Sequence, residues 1–544
     1  VTALYAACLA AVVAAAAGAC GQGAVVGARP ETRERSEEWP ELGIGVHEIV
    51  LDNGFRIVVV EDHRVPRVAA SLWYRVGALQ EGMGEHGATH FLEHVIHQGT
   101  TTIGVEDPVR DRELLQEIWA AEQALLAERG AQRNLVRERR IFFEEDAWPT
   151  TERMDELRRR LYELEDEQSA NRIFWQEYNW YRRHGGLMRH SDPVPANTGN
   201  ELMRIEVDLP TNRLEMFFRL EADRMVNAVL RGFEAQRYTV LEQFLNFNRN
   251  ETGRFMEALN GVSGVVHPIY LHPGGHMRDH DFWNRESVLR MYDDYIVPNN
   301  ALLTLVGAVT AEEVRPLAEE YFGRVPRAPD PPPGMDYEAE PPPGGTVRLD
   351  WLEPLSPRVV VRYRIPGVGH PDRPAFDVIA RLLSGSDGLL AAAQRATGAP
   401  AATWGASASR TGSPSRLSMQ AGARRDEDLP ALEVVPLEAI ERLRRGDIDP
   451  AALARVKREL RFQWEQTRSH RGDLASLFGD FFVGDDWPTV RTFFTAREAT
   501  TVEDVQRVTR RYLVPWNQVI GTTRLRPPRP ARDNMTSPPR EVAR

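Results

Sequence analysis

Three side chains in this sequence have the types and the spacing to do chemistry together: His90, Glu93 and His94, in the run Ala88-Thr-His-Phe-Leu-Glu-His-Val-Ile96. On a helix, positions i, i+3 and i+4 share one face, so two imidazoles and a carboxylate project to the same side. Two neutral imidazoles at i and i+4 can hold Zn2+ at about 2.0–2.1 Å and leave room for a third protein ligand and a water. Bound zinc lowers the pKa of that water towards about 7, and a neighbouring carboxylate that is not a ligand can take its proton. His90 and His94 are therefore candidate metal ligands, and Glu93 is the candidate general base.

Such a site needs a rigid platform, and the flanking sequence reads as one. Residues 46–60 give two strands around an Asn53-Gly54 turn, and residues 68–77 give a third strand that leads into the histidine helix. A sheet with helices laid on one face is expected. From about 106 to 183 the composition turns to Glu, Arg, Leu and Ala, with Leu114, Ile118, Ala121 and Leu125 at helical spacing. Asp146-Ala-Trp-Pro149 breaks that run, which predicts a long antiparallel helical hairpin.

Two patterns then recur in the same order. Tyr295-Ile-Val-Pro-Asn-Asn300 before a strand returns as Tyr512-Leu-Val-Pro-Trp-Asn517, and Ser71-Leu-Trp-Tyr-Arg-Val-Gly77 returns as Val361-Arg-Tyr-Arg-Ile-Pro-Gly367. The chain is thus expected to be α+β, with two duplicated domains, each a mainly antiparallel sheet with helices on one face. The first spans 45–327 and the second 347–526, joined by a Pro-rich linker at 328–346. In the second copy Phe376-Asp-Val-Ile-Ala-Arg-Leu-Leu383 stands where the first has its histidines.

Composition sets outer limits. The 544 residues are 42% hydrophobic and 27% charged, ordinary for a globular chain, and the net charge of −12 argues against nucleic acid as a partner. Both cysteines, Cys8 and Cys20, lie near the start, so neither a disulfide nor a thiolate supports the folded part. Residues 1–20 read as a bacterial export signal, with Cys20 as a candidate lipid anchor, and this points to the periplasm or its membrane surface. Residues 21–44 read as a flexible polar lead, and the Pro- and Arg-rich stretch 527–544 as a disordered tail.

The run Gly87-Ala-Thr-His-Phe-Leu-Glu-His-Val-Ile-His-Gln-Gly-Thr100 resembles the pitrilysin/insulinase family of zinc metallopeptidases, whose His-x-x-Glu-His inverts the commoner His-Glu-x-x-His. Residues 209–225 resemble the same family's stretch after its third strand, and Phe233-Glu-Ala-Gln-Arg-Tyr-Thr-Val-Leu-Glu-Gln243 resembles the segment carrying its third zinc ligand. The resemblance implies a zinc endopeptidase that takes peptides or unfolded protein segments as an added strand at a sheet edge. It also implies one zinc-bearing and one zinc-less domain, and pairing as a homodimer or as a heterodimer with a related subunit.

The likeness has departures. Aligned on Arg237, the family pattern puts its ligand at Gln243, with Glu242 one residue short and about 100° away around a helix. Glu242 is the expected ligand, because an anionic carboxylate binds zinc far better than an amide oxygen. Gln236 stands for a supporting glutamate, and Pro195-Ala-Asn-Thr198 for the substrate-side Asn-Ala-x-Thr, which makes Thr198 a candidate substrate contact. Arg395 matches a substrate-carbonyl arginine of the zinc-less half, although its tyrosine partner falls near Ala401. These changes keep a second expectation open, a non-catalytic structural or peptide-binding subunit.

Overall fold

The computed structural model describes residues 32–524 apart from 83, 138–150, 174–177, 189–195, 265–273, 276–278, 281–282, 332–343, 353–355 and 413. The first half runs β1 (Arg33–Trp39), β2 (Ile44–Val50), β3 (Arg56–Glu61), β4 (Arg67–Tyr74), α1 (Ala88–Ile96), α2 (Pro108–Arg137), α3 (Glu152–Ala170) and α4 (Tyr178–Arg183). It continues through β5 (Leu187–Met188), β6 (Ala196–Thr198), β7 (Met203–Pro210), α5 (Leu214–Asn227), α6 (Phe233–Arg249), α7 (Glu251–Gly261), α8 (Arg285–Tyr295), β8 (Ala301–Gly307) and α9 (Ala311–Tyr321). The second half runs β9 (Val347–Leu352), β10 (Arg358–Ile365), α10 (Pro374–Leu383), α11 (Leu389–Thr397), β11 (Trp404–Ala408) and β12 (Ser415–Gly422). It ends with α12 (Leu429–Arg445), α13 (Pro450–Ser469), α14 (Arg471–Gly484), α15 (Thr489–Ala499), α16 (Val502–Tyr512) and β13 (Gln518–Arg524).

The duplication is visible in the strand order. One sheet reads β1-β2-β3-β8-β4-β7-β5 with β6 also on β7, and the other β11-β12-β10-β13-β9. In each, one parallel pair (β3 with β8, β13 with β9) sits beside antiparallel neighbours, so β4 corresponds to β10 and α1 to α10. The register differs by one residue from a direct overlay of the two sequence runs. Leu72 and Tyr74 face the first core as Val361 and Tyr363 face the second, and a shift of one would turn every side chain to the wrong face.

Within each half the helices cover one face of the sheet, as expected. In the first, Phe91, Leu92 and Val95 of α1 pack with Phe217 of α5, Val240 of α6, Val288 of α8 and the inward residues of β4. The opposite face of that sheet is covered by the other half: α14 lays Leu474, Phe478, Phe481 and Phe482 on Val58, Trp73, Leu302 and Val306. Gly479 permits this approach, since a Cβ there would fall 2.0 Å from the Trp73 ring. The exchange is reciprocal, because α7 of the first half sets Phe255 and Leu259 on Val360 and Val519 of the second sheet.

The hairpin forms as the apolar spacing predicts. Leu114, Ile118 and Leu125 of α2 meet Met154, Leu157, Leu161 and Leu164 of α3, while the expected break at 146–149 lies outside the described residues. Two buried ion pairs fasten it to the first half, Asp111 with Arg231 and Glu122 with Arg285, each at 2.8 Å. The polar lead needs correction from Arg33 onwards, where β1 pairs residue by residue with β2. Its charged side chains are exposed because it is an edge strand, and buried Trp39 anchors its end. The export signal with Cys20, the middle of the linker and the tail lie outside the described residues. No helix among the described residues is long and apolar enough to cross a membrane.

Candidate functional site

Helix α1 is held at both ends. It starts at Gly87, whose φ of 91° and close neighbours (a Cβ would lie 2.7 Å from Gly274 O) admit only glycine. With no capping side chain at Gly87, the first backbone donors go to Glu81, which accepts from Gly87 N and Thr89 N at 2.8 Å each. Burial pushes the Glu81 carboxyl up to about 7, against those two bonds. At the other end the carbonyls of Glu93, His94 and Ile96 accept from His97 (2.6 Å), Gln98 (2.8 Å) and Arg224 (3.0 Å). The helix therefore presents its polar face in a fixed orientation.

On that face His90 and His94 lie with ring centroids 5.0 Å apart and ring planes at 73°. His94 Nδ1 is 3.1 Å from Gln236 Oε1 on α6. An amide oxygen only accepts, so Nδ1 carries the proton and Nε2 is left with the lone pair a metal requires. Glu93 is buried between the two rings in sequence, and Thr198 on β6 donates its hydroxyl to Glu93 Oε2 at 2.7 Å. Burial raises the Glu93 carboxyl above the usual range, opposed by His94 and by the Thr198 hydrogen bond. Oε1 is the oxygen this arrangement leaves to receive a proton.

The structure thus brings His90, Glu93, His94 and Thr198 together. Thr198, expected as a substrate contact, orients the candidate base. Glu242 is half-buried on α6, and among the described residues no three His, Cys, Asp or Glu side chains gather closely enough to hold a metal. The phase of α6 accounts for this. Seven residues beyond Gln236 the same face carries Gln243, about 20° off, whereas Glu242 is turned about 120° away. Arg395 on α11 is exposed and donates to Ser386 O at 3.4 Å, within its own half. Pro195 lies outside the described residues.

Sequence reasoning missed Glu81 and Arg224, which fix the ends of α1. A carboxylate seven residues before a helix carries no periodic signal. For Arg224 there was a weak one: an arginine on the apolar face of α5 must find acceptors, and it finds Glu221 at 3.0 Å as well as the end of α1.

Residues 56–107 match the family profile described as Insulinase (Peptidase family M16), and residues 283–460 the one described as Peptidase M16 inactive domain. The chain is 22% identical over 344 residues to a protein named Zinc protease PqqE of Helicobacter pylori, covering 61% of this chain and 74% of that one. Among solved structures, a protease from Helicobacter pylori superposes with a TM-score of 0.67 at 18% identity, over 91% of this chain and all (100%) of that chain. A putative M16-like peptidase from Alicyclobacillus acidocaldarius gives 0.66 at 14% identity, over 90% and 100%. The periplasmic protease PqqL from Escherichia coli gives 0.62 at 15% identity, over 88% of this chain and 47% of that one. At these identities the structural likeness establishes the fold.

Proposed function

Because this chain belongs to the insulinase family of peptidases, we propose that it is an exported, zinc-dependent endopeptidase of peptides or unfolded protein segments. His90 and His94 would hold the metal; Glu242, the one acid in the middle of α6, would complete the ligand set only after α6 turns to bring it to the face that Gln236 now presents to His94. The fit rests on the His94 ring, whose Nδ1 is engaged by Gln236 so that Nε2 is available to a metal. Bound there, zinc would supply a Lewis acid and a water acidified towards neutral pH.

The observation that carries the reading is Glu93, a buried carboxyl on the histidine face with its proton affinity raised by burial and one oxygen fixed by Thr198. A carboxylate whose proton affinity is raised is a stronger base than an ordinary one. Glu93 Oε1 receives the proton of the attacking water and returns it to the departing amine. An extended peptide adds beside β6, the short strand at the sheet margin that carries Thr198. A homodimer, or a heterodimer with a related subunit, and a periplasmic location complete the proposal.

A second reading has an observation of its own. Gln236 and Gln243 present amides along one face of α6, and no three-donor cluster forms among the described residues. That arrangement suits a peptide-binding subunit without catalysis. Cleavage of an unstructured peptide library separates the two: turnover by the parent that is lost in Glu93→Gln, with metal retained, supports the enzyme. No cleavage by either, with peptide still bound, supports the binding subunit.

A further inference from the structure

The helix whose rotation decides the ligand set, α6, does not cap itself. Its N-cap is Gly232, at a φ of 58° and with no side chain to receive the first backbone donors. The acceptor comes from the inserted hairpin: Glu165 of α3, itself buried, takes a hydrogen bond from Glu234 N at 3.0 Å. This is a costly place for a carboxylate. Burial pushes Glu165 up to about 7, the hydrogen bond from Glu234 N opposes that, and the Glu234 and Glu122 side chains raise it further against Arg285. An apolar side chain would pack there without the penalty, so what the position supplies is the acceptor.

The same hairpin grips the segment that leads into α6. Asp111 of α2 receives Nε and Nη2 of Arg231 at 3.0 and 2.8 Å, and Glu122 receives Nε and Nη2 of Arg285 at 2.8 and 2.9 Å, while Arg285 also donates to Leu230 O. Arg231 donates in addition to Thr100 O at 2.7 Å and Gln98 O at 3.2 Å, so the chain just after α1 and the chain just before α6 share one guanidinium. Between that fixed segment and the helix stands Gly232, where an added Cβ would meet nothing nearer than Arg172 at 3.7 Å. A glycine in the left-handed region with open space around it can absorb a turn of the helix while the chain before it stays in place.

We propose that the hairpin of α2 and α3 is a rotational clamp on α6, with Glu165 as its positioning residue. The cap holds α6 in the phase that puts Gln236 on His94, and its release frees the helix to turn about Gly232. Turning α6 by the roughly 120° that separates Gln236 from Glu242 carries Glu234 N around the helix and away from Glu165, so the cap and the turned helix exclude each other. A contact made in only one of two states biases the equilibrium towards that state. That the turned helix completes a zinc ligand set rests on the peptidase reading above, whereas the clamp rests on the contacts of the hairpin.

Two variants separate the acceptor from the bulk of the side chain: Glu165→Met keeps the volume and loses the acceptor, and Glu165→Gln keeps both. The first measurement is histidine-selective 15N NMR of the metal-free chain, with His94 assigned by its absence in His94→Ala. The His94 Nδ1 signal should shift in Glu165→Met as the Gln236 bond is lost, and stay at the parent position in Glu165→Gln. It should also stay there in Leu161→Ala, which loosens the hairpin's own apolar core and leaves the cap in place. The second measurement is zinc affinity by chelator competition, which should rise about tenfold in Glu165→Met and match the parent in Glu165→Gln. A His94 signal that is unmoved in Glu165→Met, or moved alike by Glu165→Gln or Leu161→Ala, overturns the clamp. So does a parent that binds zinc as tightly as Glu165→Met or more tightly. A shifted His94 signal in Glu165→Met with no zinc bound by any of these chains keeps the clamp and removes the metallopeptidase reading.

Discussion

Helices α1 and α10 hold the same place in the two halves, each following the interior strand (β4 or β10) that pairs antiparallel on both sides, and each buries a carboxylate. Their chemistry is opposite. Burial also pushes Asp377 of α10 up, but Arg373 at 2.9 Å, Arg410 at 3.3 Å and Arg497 at 4.0 Å outweigh it and hold the carboxyl below its usual range. Glu93 of α1 has the Thr198 hydroxyl and the His94 imidazole near it, and burial leaves its carboxyl raised. The difference teaches that burial alone does not decide the role of a carboxylate. Surrounded by guanidinium it is a structural pivot; left with neutral neighbours it keeps the proton affinity of a base.

The largest effect should come from breaking the pivot. Arg373 is fully buried, so Arg373→Met leaves Asp377 short of its closest cation and should cost about 3–5 kcal/mol in urea denaturation. A loss under about 1 kcal/mol would show that the contrast between the two carboxylates is not electrostatic. Neutralising the carboxylates themselves sharpens the same contrast. Asp377→Asn should destabilise by about 3 kcal/mol, whereas Glu93→Gln should change stability by less than about 1 kcal/mol, since no cation loses its partner.

Glu81 supplies the pH-dependent case. Its carboxyl is raised from 4.5 to about 7 in the folded chain, so the fold holds a proton that the unfolded chain releases. Its contribution is fully present below pH 4.5 and is lost as pH rises through about 7, with an upper size of about 3 kcal/mol. Denaturation midpoints across that window should fall in the parent and flatten in Glu81→Gln. Equal slopes in the two would mean that Glu81 is not the group responsible. The smallest effect belongs to Thr198→Val, which removes the bond that lowers the Glu93 carboxyl. It should move the acid limb of the cleavage pH profile upward by about one unit or less.

Much of the site's framework was readable beforehand because it is local. A three-four spacing on one helix, turn residues at Asn53-Gly54 and a repeated Tyr-to-Asn helix ending all act over a few residues, and each appears as expected. What escaped is what depends on distant packing. Helix α14 is apolar nearly all round, so its sequence says that it is buried and not that it crosses to the other half's sheet. The edge strand β1 reads as a charged lead because its pairing partner, not its composition, makes it a strand. The bond from Thr198 to Glu93 was not readable, since a hydroxyl's partner is set by how close β6 comes to α1. The choice between Glu242 and Gln243 turns on the rotation of α6 against α1, which adjacent letters in a sequence do not encode.

Metal content tests the central claim most directly. Chain purified without chelator and analysed by elemental mass spectrometry should carry about one zinc per chain, retained in Glu93→Gln and lost in His90→Ala and His94→Ala. Zinc well below one per chain in the parent, or zinc that survives loss of either histidine, would contradict the account.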